Sequence, residues 1–250
     1  MAAPDDRYNK VSLLLHCEGA DTSTTITDNA PTVKTVVCGG NAQISTARSK
    51  WGSSSVLFDG AGDYLTATDH ADFAFGTGDF TIEFWMYLTG GGDYLYDSRP
   101  NGTNSGAYPT IYVNNGPLKL AFMNTATERI TGTTTLTTSV WHHVAVSRTG
   151  TSTRMFLNGV QEGATYTDST NYINGTARPI IFGNGFNTTS SMPGNIDDVR
   201  VTKGFCRYTA TFTPPVTTFA DFLTPSDAMK LLQSTRKVQT SNLPFHFIGL

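Results

Sequence analysis

Between Phe80 and Leu88 the chain alternates without a break. Phe80, Ile82, Phe84, Met86 and Leu88 fall on one side of an extended backbone, and Thr81, Glu83, Trp85 and Tyr87 on the other. As a strand the first five form one apolar face, opposite a face of bulky polar and aromatic groups. Shorter runs of the same kind occupy residues 11–16, 55–58, 64–67, 110–113, 118–124, 142–148, 153–157, 180–182 and 196–201. Asn158-Gly159 marks a two-residue hairpin whose return strand starts at Val160. No helical stretch separates these runs, so nothing would cover a parallel sheet. The pattern predicts an all-β fold, a two-sheet antiparallel sandwich of the jelly-roll type.

Composition agrees and excludes several classes. Threonine fills about one position in six, beside 24 Gly, 15 Phe and 10 Tyr, a mixture suited to pleated sheets and tight turns. Only 15% of the 250 residues are charged, and the formal net charge is -3 with no basic run, which argues against nucleic-acid binding. Hydrophobic residues at 38% supply a core and argue against disorder. No window approaches 18 apolar residues, so no membrane-spanning helix is expected, and residues 1–10 lack the pattern of a secretory signal. Three cysteines, Cys17, Cys38 and Cys206, make no disulfide framework and read as small packed side chains.

The organisation predicted is an N-terminal arm over 1–9, a sandwich over 10–216 and an extension over 217–250. The proline pair of Thr213-Pro214-Pro215 ends the strand pattern. Thr224-Pro225-Ser226-Asp227 then reads as a helix start, with a capping Thr and Pro at the first helical position. Leu231 and Leu232 form a short apolar stripe, and an extended end carries Phe245, Phe247, Ile248 and Leu250. Such a cluster is seldom left in water, so these six residues are expected to form an assembly arm against a neighbouring chain.

Four stretches carry a family resemblance: Ser12-Leu-Leu-Leu-His-Cys-Glu-Gly19; Phe58-Asp-Gly-Ala-Gly-Asp-Tyr-Leu65 with Gly78-Asp-Phe-Thr-Ile-Glu-Phe-Trp85; Trp141-His-His-Val-Ala-Val146 with Phe156-Leu-Asn-Gly159; and Gly194-Asn-Ile-Asp-Asp-Val-Arg-Val201, followed by Phe205-Cys-Arg-Tyr208 and Phe212-Thr-Pro-Pro215. In this order the chain resembles the laminin-G-like, concanavalin-A-like jelly roll in the version common in phage and other viral structural proteins. The resemblance implies a non-enzymatic virion protein that decorates or connects capsid or tail proteins, as an oligomer within the particle. Its alternative, from the lectins of the same fold, is a glycan-binding module for a host-surface polysaccharide. The fold alone does not choose, because it hosts lectins, hydrolases and structural modules.

Chemistry narrows the choice. Cleaving a glycan needs two carboxylates flanking the scissile bond. The only glutamates are Glu18, Glu83, Glu128 and Glu162, and Glu83 has no acidic partner on its own strand face. There is no Gly-x-Ser-x-Gly elbow, and the side chains of His16 and Cys17, like those of His142 and His143, diverge on a strand. No enzyme activity and no organic cofactor are therefore expected. Trp141 is expected to fill core volume. Calcium is the one metal to consider, with Asp59, Asp63 and Asp198 as hard oxygen donors at turns and strand ends. The turn Asp59-Gly60-Ala61-Gly62-Asp63 also explains its own acids, as acceptors of local backbone hydrogen bonds. A glycan platform, if present, is expected in the longest non-periodic stretch, with Tyr94, Tyr96, Asn101 and Tyr108.

Overall fold

The computed structural model describes residues 5–99, 106–173 and 180–222. The first strands are β1 (Val11–Leu15), β2 (Val36–Gly39), β3 (Gln43–Ser45), β4 (Ser55–Asp59) and β5 (Tyr64–Ala67). The alternating stretch forms β6 (Phe80–Leu88), followed by β7 (Tyr94–Asp97), β8 (Thr110–Val113), β9 (Lys119–Asn124) and β10 (Thr127–Thr135). The last are β11 (Trp141–Thr149), β12 (Ser152–Leu157), β13 (Val160–Thr167), β14 (Ile180–Phe182) and β15 (Pro193–Lys203). Among the described residues the only helices are two single 3-10 turns, Tyr8–Lys10 and Ala71–Phe73.

The strands make two sheets, both antiparallel throughout. Sheet A runs β13-β12-β11-β6-β15-β4-β3, and sheet B runs β10-β9-β8-β7-β14-β5-β2. The eleven-residue β15 serves two neighbours on one side, pairing β4 through its first half and β1 through its second. The switch falls at Asp197-Asp198, where the register slips and Asp198 adopts φ 44°. Every apolar member of the β6 alternation is buried between the sheets, with Val144, Val146, Ile196 and Val201 beside it from sheet A. Leu65, Ile111, Leu120, Phe122 and Phe182 meet them from sheet B.

The outer face of sheet A carries a third layer, built by the chain itself. Residues 204–222 cross it as a strap. Tyr208 stacks flat on Phe212 at 3.6 Å, and both rings pack edge-on against His143 and Phe156. Phe219 joins Val11, Leu14 and Ala30 in a small second core. Beneath the strap Glu83 is fully buried. Its carboxylate accepts from Arg200 Nε at 2.9 Å and from the Tyr208 hydroxyl at 2.7 Å. Asp5 pairs with Arg200 at 3.2 Å and with Arg207 at 2.7 Å, so the chain start is pinned to the same network. Burial pushes the Glu83 carboxyl up, but Arg200, His143 and Arg207 outweigh it and hold it down at about 2.

This layer corrects three expectations. The folded unit extends past 216 to at least Ala220, and the N-terminal stretch contributes a buried ion pair, because a strand face carrying Glu83 and Trp85 needs a cover. Trp141 lies half-buried on the outer face of sheet A and takes no part in the core between the sheets. Its neighbour His142 turns to the other side and bonds the Thr137 carbonyl at 2.9 Å.

Candidate ligand-binding face

The outer face of sheet B stays open to solvent, with Glu128 and Thr131 exposed and Tyr94 and Tyr112 partly so. Its shape is set by β7. A regular strand would put Tyr94 and Tyr96 on one side, two residues apart. The register against β8 slips between them, so Tyr96 turns into the core while Tyr94 faces out. Tyr94 then lies beside its cross-strand partner Tyr112, ring centres 5.6 Å apart. Tyr112 faces out because its neighbours Ile111 and Val113 are buried in the core.

Arg99 continues the row. Its guanidinium sits 4.7 Å from the centre of the Tyr94 ring and 4.4 Å from that of Phe186. Asp97 holds it there through a bidentate pair, with Arg99 Nη2 at 2.7 Å from Oδ2 and Nε at 3.0 Å from Oδ1. The same carboxylate accepts the Phe186 backbone N–H at 2.8 Å, fixing the second ring. Burial alone would lower the Arg99 pKa, but the hydrogen bonds and charge of Asp97 raise it, so the cation is firmly held. At the other end the Tyr112 hydroxyl and Thr131 Oγ1 both donate to the Glu128 carboxylate. Burial and Glu128 push the Tyr112 pKa up, which keeps its proton in place. The result is a strip running Glu128, Tyr112, Tyr94, Phe186, with Glu128 preset by its own hydrogen bonds and the buried Arg99 packed against the Tyr94 and Phe186 rings. Such a strip can take a flat ligand with one apolar face and hydroxyls on its rim.

Of the residues expected here, only Tyr94 lies on this strip. Tyr96 is in the core, Tyr108 is buried, and Asn101 lies outside the described residues. Tyr112, Arg99, Phe186 and Glu128 were not expected. Only Tyr112 had a sequence signal, as the outward residue of an alternating strand.

The three aspartates weighed for calcium do not come together. Asp63 accepts the backbone N–H of Asp59 at 2.7 Å and of Asn41 at 2.5 Å, and Asp59 accepts from Ala61 at 2.7 Å. Both acids therefore brace the turn. Asp198 sits at the β15 register slip, bonded to His16 Nδ1 at 2.9 Å and to the Phe219 N–H at 2.8 Å. Among the described residues no three His, Cys, Asp or Glu side chains cluster as a metal site would require. Leu231, Leu232, Phe245, Phe247, Ile248 and Leu250 lie outside the described residues.

A family model for the concanavalin A-like lectin/glucanases superfamily matches residues 59–205, more than half of the chain. The chain belongs to this superfamily. Similar folds occur among solved structures. Domain 4 of AbnA, a GH43 extracellular arabinanase from Geobacillus stearothermophilus solved with arabinotriose, matches with TM-score 0.57 and 16% identity, over 79% of this chain and 94% of that domain. The receptor binding domain of botulinum neurotoxin D matches with TM-score 0.56 and 12% identity, over 92% of this chain and 53% of that one. The binding domain of botulinum neurotoxin DC in complex with SialylT has TM-score 0.56 and 15% identity, over 91% and 52%. This superfamily member thus spans about half the length of the neurotoxin domains, and at these identities it shares their fold alone. No curated protein matches it in sequence.

Proposed function

We propose that this chain is a non-catalytic binding module that takes saccharides on the outer face of sheet B. The observation that carries the reading is the pair Tyr112 and Tyr94 on the outer face of sheet B, with Glu128 beside Tyr112 and with Tyr94 braced by the buried Arg99–Asp97 pair. A sugar ring laid on Tyr94 or Tyr112 would bury its C–H face and offer rim hydroxyls to Glu128. The fold supports the reading, since an arabinanase domain solved with arabinotriose and a neurotoxin domain solved with SialylT share it. The absence of catalysis rests on Glu83, which the strap seals under Tyr208 and which Arg200 neutralises, leaving it unable to reach a glycosidic oxygen. Binding stands ahead of a role in a virion, because the neurotoxin neighbours named above are binding domains and the arabinanase domain was solved with arabinotriose.

The test is a screen of the full chain against immobilised glycans, followed by calorimetry on any saccharide retained. Tyr112→Ala should weaken binding at least tenfold, about 1.4 kcal/mol, while the protein melts as before. Retained affinity in a folded Tyr112→Ala protein would move the site off this face. Release of reducing ends from a bound glycan would make the protein an enzyme.

A further inference from the structure

Beside the strap, the outer face of sheet A gathers all three tryptophans, Trp51 and Trp141 half-buried and Trp85 buried beneath the loop that carries Trp51. Trp141, Tyr87 and Asn195 lie side by side across β11, β6 and β15. The Trp141 ring meets Tyr87 edge-on at 5.5 Å. In the adjacent row Trp85 meets Trp51 edge-on at 6.0 Å. The loop that brings Trp51 is fastened by Asp197, whose carboxylate accepts the N–H of Lys50 at 2.7 Å and of Trp51 at 3.1 Å. Two cations come with that loop. The Arg48 guanidinium is 4.3 Å from the Tyr87 ring centre and donates to Asn195 Oδ1 at 3.2 Å. The Lys50 ammonium is 4.0 Å from the Trp85 ring centre and 4.8 Å from that of Trp51.

Neither cation has a carboxylate in ion-pair contact. Among the described residues Arg48 and Lys50 make no ion pair, and the Lys50 ammonium has no protein hydrogen-bond acceptor. Asp197 lies under the loop, fully buried and occupied with backbone N–H groups, and Glu18 is held at the loop's far end by Ser53. The indole N–H groups of Trp51 and Trp85 are also buried without an acceptor, a costly arrangement beside two unpaired cations. In a chain of net charge -3, the patch thus carries two cations over aromatic rings with no carboxylate in contact.

We propose that this patch is a second site, independent of sheet B, for an acidic saccharide: a uronic-acid unit whose ring lies on Trp141 and whose carboxylate meets Arg48 and Lys50. The Arg fork matches a carboxylate, the Trp141 ring supplies an apolar seat, and Tyr87, edge-on to Trp141, holds the Arg48 guanidinium beside it. An acidic peptide fits less well. β11, β6 and β15 are interior strands with their ladder bonds already made, so a peptide backbone would find no edge to extend.

The experiment is calorimetry on the full chain with trigalacturonate and with its methyl ester, which keeps the rings and removes the charge. Trigalacturonate should bind more tightly as salt is lowered, and the ester at least tenfold more weakly. Arg48→Gln and Lys50→Gln should each cost about tenfold, with melting temperatures confirming their folds, and Lys10→Gln should cost nothing. Equal binding of acid and ester would overturn the proposal, as would no binding at millimolar ligand or full affinity in folded Arg48→Gln. Loss of trigalacturonate binding in Tyr112→Ala would place the acidic sugar on sheet B instead. A poly-glutamate peptide bound with the same Arg48 dependence would make the patch a protein contact.

Discussion

Asp97 is the residue on which the sheet B strip depends, since one carboxylate orients Arg99 and ties down Phe186. Asp97→Asn keeps the shape but leaves a buried guanidinium without its counter-charge, a loss of about 3 kcal/mol. That should lower the melting temperature by roughly 6–12 °C and weaken saccharide binding along with it, both measurable on one preparation by scanning calorimetry and titration. Nothing in the sequence singled out this pair. Asp97 and Arg99 are spaced like many strand-end charges, and their partner Phe186 is 87 positions from Arg99, a distance no local pattern spans. Tyr94 and Tyr96 mislead for a different reason: read with a period of two they share a face, and only the slip against β8 separates them.

At the scale of elements, β6 could be read outright, because nine residues of clean alternation leave one interpretation. β10 could not. Thr127–Thr135 is mostly exposed, so its threonines carry no alternation of polarity, and its pairing with β9 slips twice. The strap was legible only as a motif. Its sequence has no period, and its place follows from what it covers: a buried carboxylate, His143 and Phe156. Gly159, at the β12–β13 hairpin, accepts the Phe212 N–H of the strap at 3.0 Å. It has φ 80°, and a Cβ there would lie 2.0 Å from the Phe212 carbonyl oxygen. Gly159→Ala should therefore push the strap outward, destabilising the protein by about 1–3 kcal/mol. Limited proteolysis should then cut within 204–222, where the parent protein resists.

For the molecule as a whole, two buried acids set opposite limits on stability with pH. Glu83, held at about 2, stabilises the fold above the ordinary carboxylate range and loses that contribution as pH falls toward 2. Burial pushes the Asp197 carboxyl up to about 7 despite its backbone donors, with Asp198 adding to the rise. The folded protein thus holds a proton that the unfolded chain releases, so this contribution is complete below the ordinary carboxylate range and is lost as pH rises through about 7. His16 acts in the same direction: burial lowers its pKa, but its bond to Asp198 raises it overall, and its contribution fades above the usual histidine range. Thermal scans should show a maximum near pH 4–5, about midway between these limits, and Asp197→Asn should flatten the alkaline limb. Truncation after Phe222 should leave a folded protein, because the Glu83 network and the second core are made by residues within 5–222. Residues 5 and 222 are also joined directly, the Asp5 N–H donating to the Phe222 carbonyl at 3.1 Å. In topological terms the backbone from 5 to 222 is a loop already closed by one hydrogen bond. A short glycine linker across that gap, with new ends cut at the exposed Thr125-Ala126 turn between β9 and β10, would permute the order of the strands and keep every neighbour. By the same geometry the whole unit can be set into a surface loop of a host protein, entering and leaving through one point while sheet B faces away from it.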